Sequence, residues 1–171
     1  MTVIDLGSET HGYEESLFTL IERLKPERVY AFDPLGPDED ISSRGVEIHR
    51  SSKAAWTFDG EISFGVGSQD AMNATAVRGK IRAGEWKEII RVPCFDFAAF
   101  LLRFDEPVYV KMDVEGAEYD ILEKVIASGA DKHISFLTVE WHDHQFSQME
   151  KYSRRRVEII RNLSCPNDTW W

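Results

Sequence analysis

Apolar positions along the chain switch repeatedly between short continuous runs and stripes of helical period, and each switch marks an element. Thr2-Val-Ile-Asp-Leu6 opens the chain as a buried strand. Residues 13–25 follow with Leu17, Leu20, Ile21 and Leu24 at helical spacing until Pro26 stops them. Residues 28–33 are a second strand that closes on Asp33 before Pro34, and residues 35–40 mix turn formers with charge and read as loop. Residues 46–49 make a short third strand. Further on, residues 95–104 predict a helix rich in aromatics, and residues 108–113 an apolar strand that breaks at Asp113-Val-Glu-Gly116. Residues 117–126 are its helix, residues 134–140 another buried strand, and residues 145–163 a last helix before a tail at 165–171.

Residues 53–77 behave differently. Ala54-Ala-Trp-Thr-Phe58, the turn dipeptide Asp59-Gly60 and residues 61–66 predict a β-hairpin insertion. Glycines at 65, 67, 79 and 84 make residues 67–87 the expected mobile loop. Strands alternating with helices elsewhere give an α/β fold with a mainly parallel sheet. The mouths of all five parallel strands then open on one edge, where such sheets bind ligands.

Composition sharpens the picture. At 171 residues, 43% of them hydrophobic, the chain fills one domain, taken as 1–171. Thirty acids against twenty bases leave a net charge of −10, which disfavours a nucleic-acid partner. The one dense basic run, Arg154-Arg-Arg156, reads as a solvated helix face. No apolar stretch is long enough to span a bilayer and no signal-peptide pattern opens the chain, so a cytoplasmic location without membrane contact is expected. Cys94 and Cys165 belong to no Cys-x-x-Cys pair and are expected as reduced thiols.

Four strand mouths carry candidate chemistry. Asp5-x-Gly7-x-x-x-x-Gly12 puts glycines where backbone must approach a ligand closely, with a helix N-terminus behind them. Asp33, at the next strand end, can accept both ribose hydroxyls of an adenosine; capping the turn before Pro34 is its alternative role. Together they point to a nucleoside-bearing cofactor. The glycine spacing is wrong for a dinucleotide fingerprint, which disfavours a nicotinamide enzyme. Asp113 and Glu115 could supply a general base or hold a divalent cation through oxygen. Glu118 reads as an acid at the positive end of a helix dipole. Glu140-Trp-His-Asp-His144 adds proton carriers or ligands, with His142 and His144 sharing a face if that segment is extended. A divalent cation is possible there, but no metal site is predicted.

Four blocks, Val3-Ile-Asp-Leu-Gly-Ser-Glu-Thr-His-Gly12, Val29-Tyr-Ala-Phe-Asp-Pro34, Lys111-Met-Asp-Val-Glu-Gly-Ala-Glu118 and Leu137-Thr-Val-Glu-Trp-His142, resemble in order those of the FkbM-type methyltransferases. The resemblance covers residues 2–142. It implies a class I Rossmann-like methyltransferase fold, S-adenosylmethionine as donor, and O-methylation of a hydroxyl on a small molecule or glycan. By position, Asp5, Gly7, Ser8 and Gly12 would line the methionine end of the cofactor, Asp33 would hold the ribose, and Ala54 would lie near the adenine. Asp96 matches an acid ahead of the helix preceding the central strand. Asp113 would face the methyl group as first candidate base, His142 is the second, and Glu140 would sit beside them.

The chain departs from the family pattern at Ser8-Glu9. It also looks shortened at both ends, lacking the usual first segment and the final antiparallel strands. Trp170-Trp171 or a homodimer could cover an edge left open by that shortening. A cofactor-binding or assembly module that kept the fold and lost the chemistry is the alternative function.

Overall fold

The computed structural model describes residues 1–7, 15–66, 75–77 and 88–169. The five expected parallel strands are β1 (Thr2–Leu6), β2 (Arg28–Phe32), β4 (Val46–Ser51), β8 (Val108–Met112) and β9 (Ile134–Val139). With β3 (Glu39–Ser43) and β10 (Asn167–Thr169) they form a seven-stranded sheet in the order β10-β9-β8-β1-β2-β4-β3, parallel except where β3 runs against β4. Alternation along the strands sends side chains to opposite faces. On one face Val3, Val29 and Ala31 pack with Leu17 and Ile21 of α1 (Glu15–Leu24). On the other, Ile4, Leu6 and Val110 belong to the main core, shared with Leu101 of α2 (Phe97–Leu101), Leu122 of α3 (Glu118–Ser128) and Ile159 of α4 (Met149–Asn162).

The expected hairpin is not formed. β5 (Ala54–Trp56) and β6 (Gly60–Val66) do not pair with each other; both pair with β7 (Glu88–Asp96), which lies between them in a second sheet ordered β5-β7-β6. Asp59-Gly60 still turns the chain, but Asp59 accepts from the Asp96 N–H (3.1 Å) instead of closing a two-stranded turn. The helix expected over 95–104 shrinks because Phe95 and Asp96 complete β7. The segment expected as loop over 35–40 runs into edge strand β3, and part of the expected tail pairs as β10 in parallel with Leu137–Val139. The last helix begins at Met149, after a single turn of 3-10 helix at Asp143–Gln145. The expected loop over 67–87 lies outside the described residues except for 75–77.

Asp96 ties the small sheet to the helical layer. Its carboxylate accepts from the Ala99 N–H (3.1 Å), capping α2, and from Lys124 of α3 (2.5 Å). Burial pushes this carboxyl up, but Lys124 and the cap hold it below the usual aspartate value. Lys124 also donates to the Thr57 carbonyl. Asp96→Ala should therefore cost about 1–2 kcal/mol, a lost cap plus a half-buried ammonium left short of a partner, read as a lower urea midpoint at unchanged m-value.

Candidate active site

Backbone hydrogen bonds align the strand mouths. Gly7 N–H donates to Phe32 O (2.9 Å), Asp113 N–H to Leu6 O (2.9 Å) and Glu140 N–H to Met112 O (2.9 Å). The residue after each strand therefore sits at the same edge. There a cleft opens, with Gly7, Asp33, Ala54 and Asp113 on its walls and Trp56, Ile62 and Phe64 of the small sheet closing one side.

Gly7 holds the floor. Its φ is +77°, and a Cβ there would stand 1.7 Å from the Asp113 carbonyl oxygen, so only glycine lets β1 and β8 close at this point. Asp33 is half-buried, faces the cleft, and accepts from the Leu35 N–H (2.9 Å); it caps its turn and lines the cleft at once. Ser8 and Gly12 lie outside the described residues.

Asp5, expected beside the cofactor, lies one step deeper. It is fully buried, with Oδ1 3.2 Å from Lys111 Nζ across the β1–β8 pairing. Lys111 also donates to Gly7 O (3.1 Å) and lies 3.9 Å from Asp113. Burial pushes its ammonium down, but Asp5 and Asp113 outweigh burial and hold it above the usual lysine value. Lys111 thus carries a positive charge directly under the floor of the cleft. The sequence signal for it was a lysine inside an otherwise apolar strand.

The catalytic candidates do converge. His142 is fully buried, and its Nε2 lies 3.6 Å from Asp113 Oδ1, 3.5 Å from Glu115 Oε2 and 3.9 Å from Glu140 Oε1. Burial pushes the Asp113 carboxyl up to about 6; Lys111 draws it down, and Glu140 adds to the rise. Glu115 sits at φ +54°, a left-handed conformation costly for a side chain with a Cβ, and Thr75 Oγ1 clamps its carbonyl at 2.7 Å. His144 is exposed after the turn at Asp143–Gln145, with its ring centroid 6.5 Å from that of the buried His142 and the two rings nearly parallel.

Glu118 exceeds its expected role at a helix start. It is fully buried; Oε1 accepts both the His142 N–H (3.0 Å) and Nδ1–H (3.1 Å), and Oε2 accepts the Gly116 N–H (2.8 Å). With Nδ1 held by a carboxylate, Nε2 points at Asp113 and Glu115. The Arg154-Arg-Arg156 run is not simply solvated either. Arg155 bonds Glu123 and Asp120 of α3, and Arg156 bonds Asp143. No helix among the described residues is long and apolar enough to cross a membrane.

No curated protein and no solved structure matches the chain. The family model described as "Methyltransferase FkbM domain" does match, over residues 11–161. That span takes in the strand mouths bearing Asp33, Asp113 and Glu140 as well as the Glu118–His142 pair, and with it the chain belongs to the FkbM methyltransferase family.

Proposed function

We propose that this methyltransferase takes its methyl group from S-adenosylmethionine and delivers it to a hydroxyl of a small molecule or glycan. The observation that carries the reading is the convergence of Gly7, Asp33, Ala54 and Asp113 on one cleft at the parallel strand ends. Its apolar side, formed by Trp56, Ile62 and Phe64, suits a purine, and Asp33 suits ribose hydroxyls. When bound there, S-adenosylmethionine supplies an electrophilic methyl whose carbon–sulfur bond breaks as the acceptor oxygen bonds the carbon, leaving a neutral thioether.

The chain's own residues then have two tasks. Gly7 and the Asp113 backbone fix the floor against which the reactants are aligned, since an in-line displacement depends on position. The Asp113–His142–Glu140 cluster receives the hydroxyl and takes its proton, without which the oxygen is a poor nucleophile. Asp113, on the cleft wall, is the first acceptor.

Calorimetric titration with S-adenosylmethionine and with its demethylated product tests the reading. Binding is expected, and Asp33→Ala should weaken it roughly 10- to 100-fold by removing charge-assisted hydrogen bonds to the ribose. Wild-type protein that binds neither ligand at millimolar concentration overturns the proposal.

A further inference from the structure

His142 Nε2 and Asp113 Oδ1 are buried and make no hydrogen bond among the described residues. At 3.5 and 3.6 Å, the contacts from Nε2 to Glu115 and Asp113 are too long for hydrogen bonds. They suit a different geometry. Ligand atoms about 2.1 Å from a shared cation lie roughly 3.0–3.5 Å apart at adjacent corners of an octahedron or tetrahedron. Asp113, Glu115 and His142 offer one ligand atom each, all within 4.8 Å of one another. We propose that these three side chains form a divalent-cation site that receives the acceptor hydroxyl. The acceptor's place there rests on the methyltransferase reading; the cation site itself does not.

Glu118 supplies an independent sign. A histidine that ligates through Nε2 characteristically gives its other N–H to a carboxylate, which fixes the ring and raises its basicity. Glu118 Oε1 occupies that position, 3.1 Å from Nδ1, and it is wholly buried with the ring. The charge balance agrees. The carboxylates of Asp113, Glu115, Glu118 and Glu140 all lie within 3.9 Å of the His142 ring nitrogens. Two carboxylates and an imidazole favour a first-row transition ion such as Mn²⁺ over Ca²⁺, which prefers oxygen throughout.

The ion would change what the ligands do. It acidifies the hydroxyl bound to it. The O–H bond then breaks toward Glu140, which takes the proton, while the oxygen forms its bond to the methyl carbon and the thioether leaves. Without the ion, Asp113 remains the proton acceptor and transfer continues at a lower rate.

The experiment uses full-length protein stripped with chelator and titrated with Mn²⁺, the free ion being read by electron paramagnetic resonance. S-adenosylmethionine binding is measured separately by calorimetry. A single class of Mn²⁺ site is expected, weakened at least about tenfold in His142→Gln and in Glu115→Gln. Glu115 lies on a loop with a quarter of its side chain exposed, so its variant keeps the test valid if His142→Gln fails to fold. Methyl transfer should fall with chelator and recover with Mn²⁺. Cofactor binding without Mn²⁺ binding, or Mn²⁺ binding unchanged in Glu115→Gln and Asp113→Asn, overturns the cation site and leaves the methyltransferase reading standing. Mn²⁺ bound at these residues in a protein that never binds S-adenosylmethionine supports the site and removes that reading.

Discussion

Gly7→Ala is expected to abolish cofactor binding and to destabilise the protein by about 2–5 kcal/mol, because a methyl group there combines a left-handed backbone with impossible overlap. The added Cβ would lie 1.7 Å from Asp113 O and 2.8 Å from Asp113 C, both backbone atoms that no rotamer change can move aside. Either β1 withdraws from β8 or the Asp113 peptide rotates. Both movements disturb the Asp113 N–H to Leu6 O hydrogen bond and the Lys111 contact to Gly7 O.

Gly45→Ala separates the two causes. Gly45 has nearly the same backbone angle, φ +80°, in the turn between β3 and β4, but a Cβ there meets nothing within 4 Å. It should cost only the backbone term, about 1 kcal/mol, and leave the cleft unchanged. Urea denaturation gives both stabilities, and calorimetry gives both cofactor affinities. If Gly7→Ala were no less stable than Gly45→Ala and bound cofactor like wild type, the close approach of β1 and β8 would not be what shapes the cleft.

The elements that the periodicity reading found are those whose side chains bury most. β1, β8 and β9 are nearly continuous apolar runs because helices cover both faces of the sheet. β3 escaped because Glu-Asp-Ile-Ser-Ser on an edge buries little; its strand character comes from pairing with β4 and from Arg50 and His49 meeting Glu39 and Asp40. β7 escaped for another reason. Pro93 argues against a strand, yet it lies where β7 pairs with β6 alone, just before β5 joins at Cys94, an edge-like setting that tolerates proline.

Without β7 in view, Asp59-Gly60 had only a hairpin to belong to. The site divides in the same way. Acids at strand mouths follow from strand ends, so Asp33, Asp113 and Glu140 could be read along the chain. The partnership of Glu118 with His142 spans 24 residues and depends on how α3 docks beside the end of β9, which no local pattern encodes.

That partnership makes Glu118→Gln the more telling substitution within the site. Glutamine keeps the shape but offers one acceptor and one donor where Glu118 offers two acceptors. With its oxygen toward His142, its amide faces the Gly116 N–H, donor against donor. Turned the other way, it faces the His142 N–H and forces Nδ1 to accept, which places the ring proton on Nε2, 3.5 Å from Glu115 and 3.6 Å from Asp113. Each orientation leaves a buried N–H unpaired, a cost of about 1–3 kcal/mol. In both, the carboxylate charge that holds Nε2 ready to take a proton or a cation is gone. Turnover should fall about 10- to 100-fold, the range seen when the outer partner of a functional histidine is removed. Affinity for S-adenosylmethionine should stay at the wild-type value, since Glu118 is sealed behind the cleft and touches none of it. Single-turnover rates on protein shown to be folded, set beside calorimetry, distinguish this from a structural role, which would lower the melting temperature and spare the rate of each folded molecule. A Glu118→Gln protein that turns over at the wild-type rate would mean that His142 needs no orienting carboxylate, and the buried pair would be packing alone.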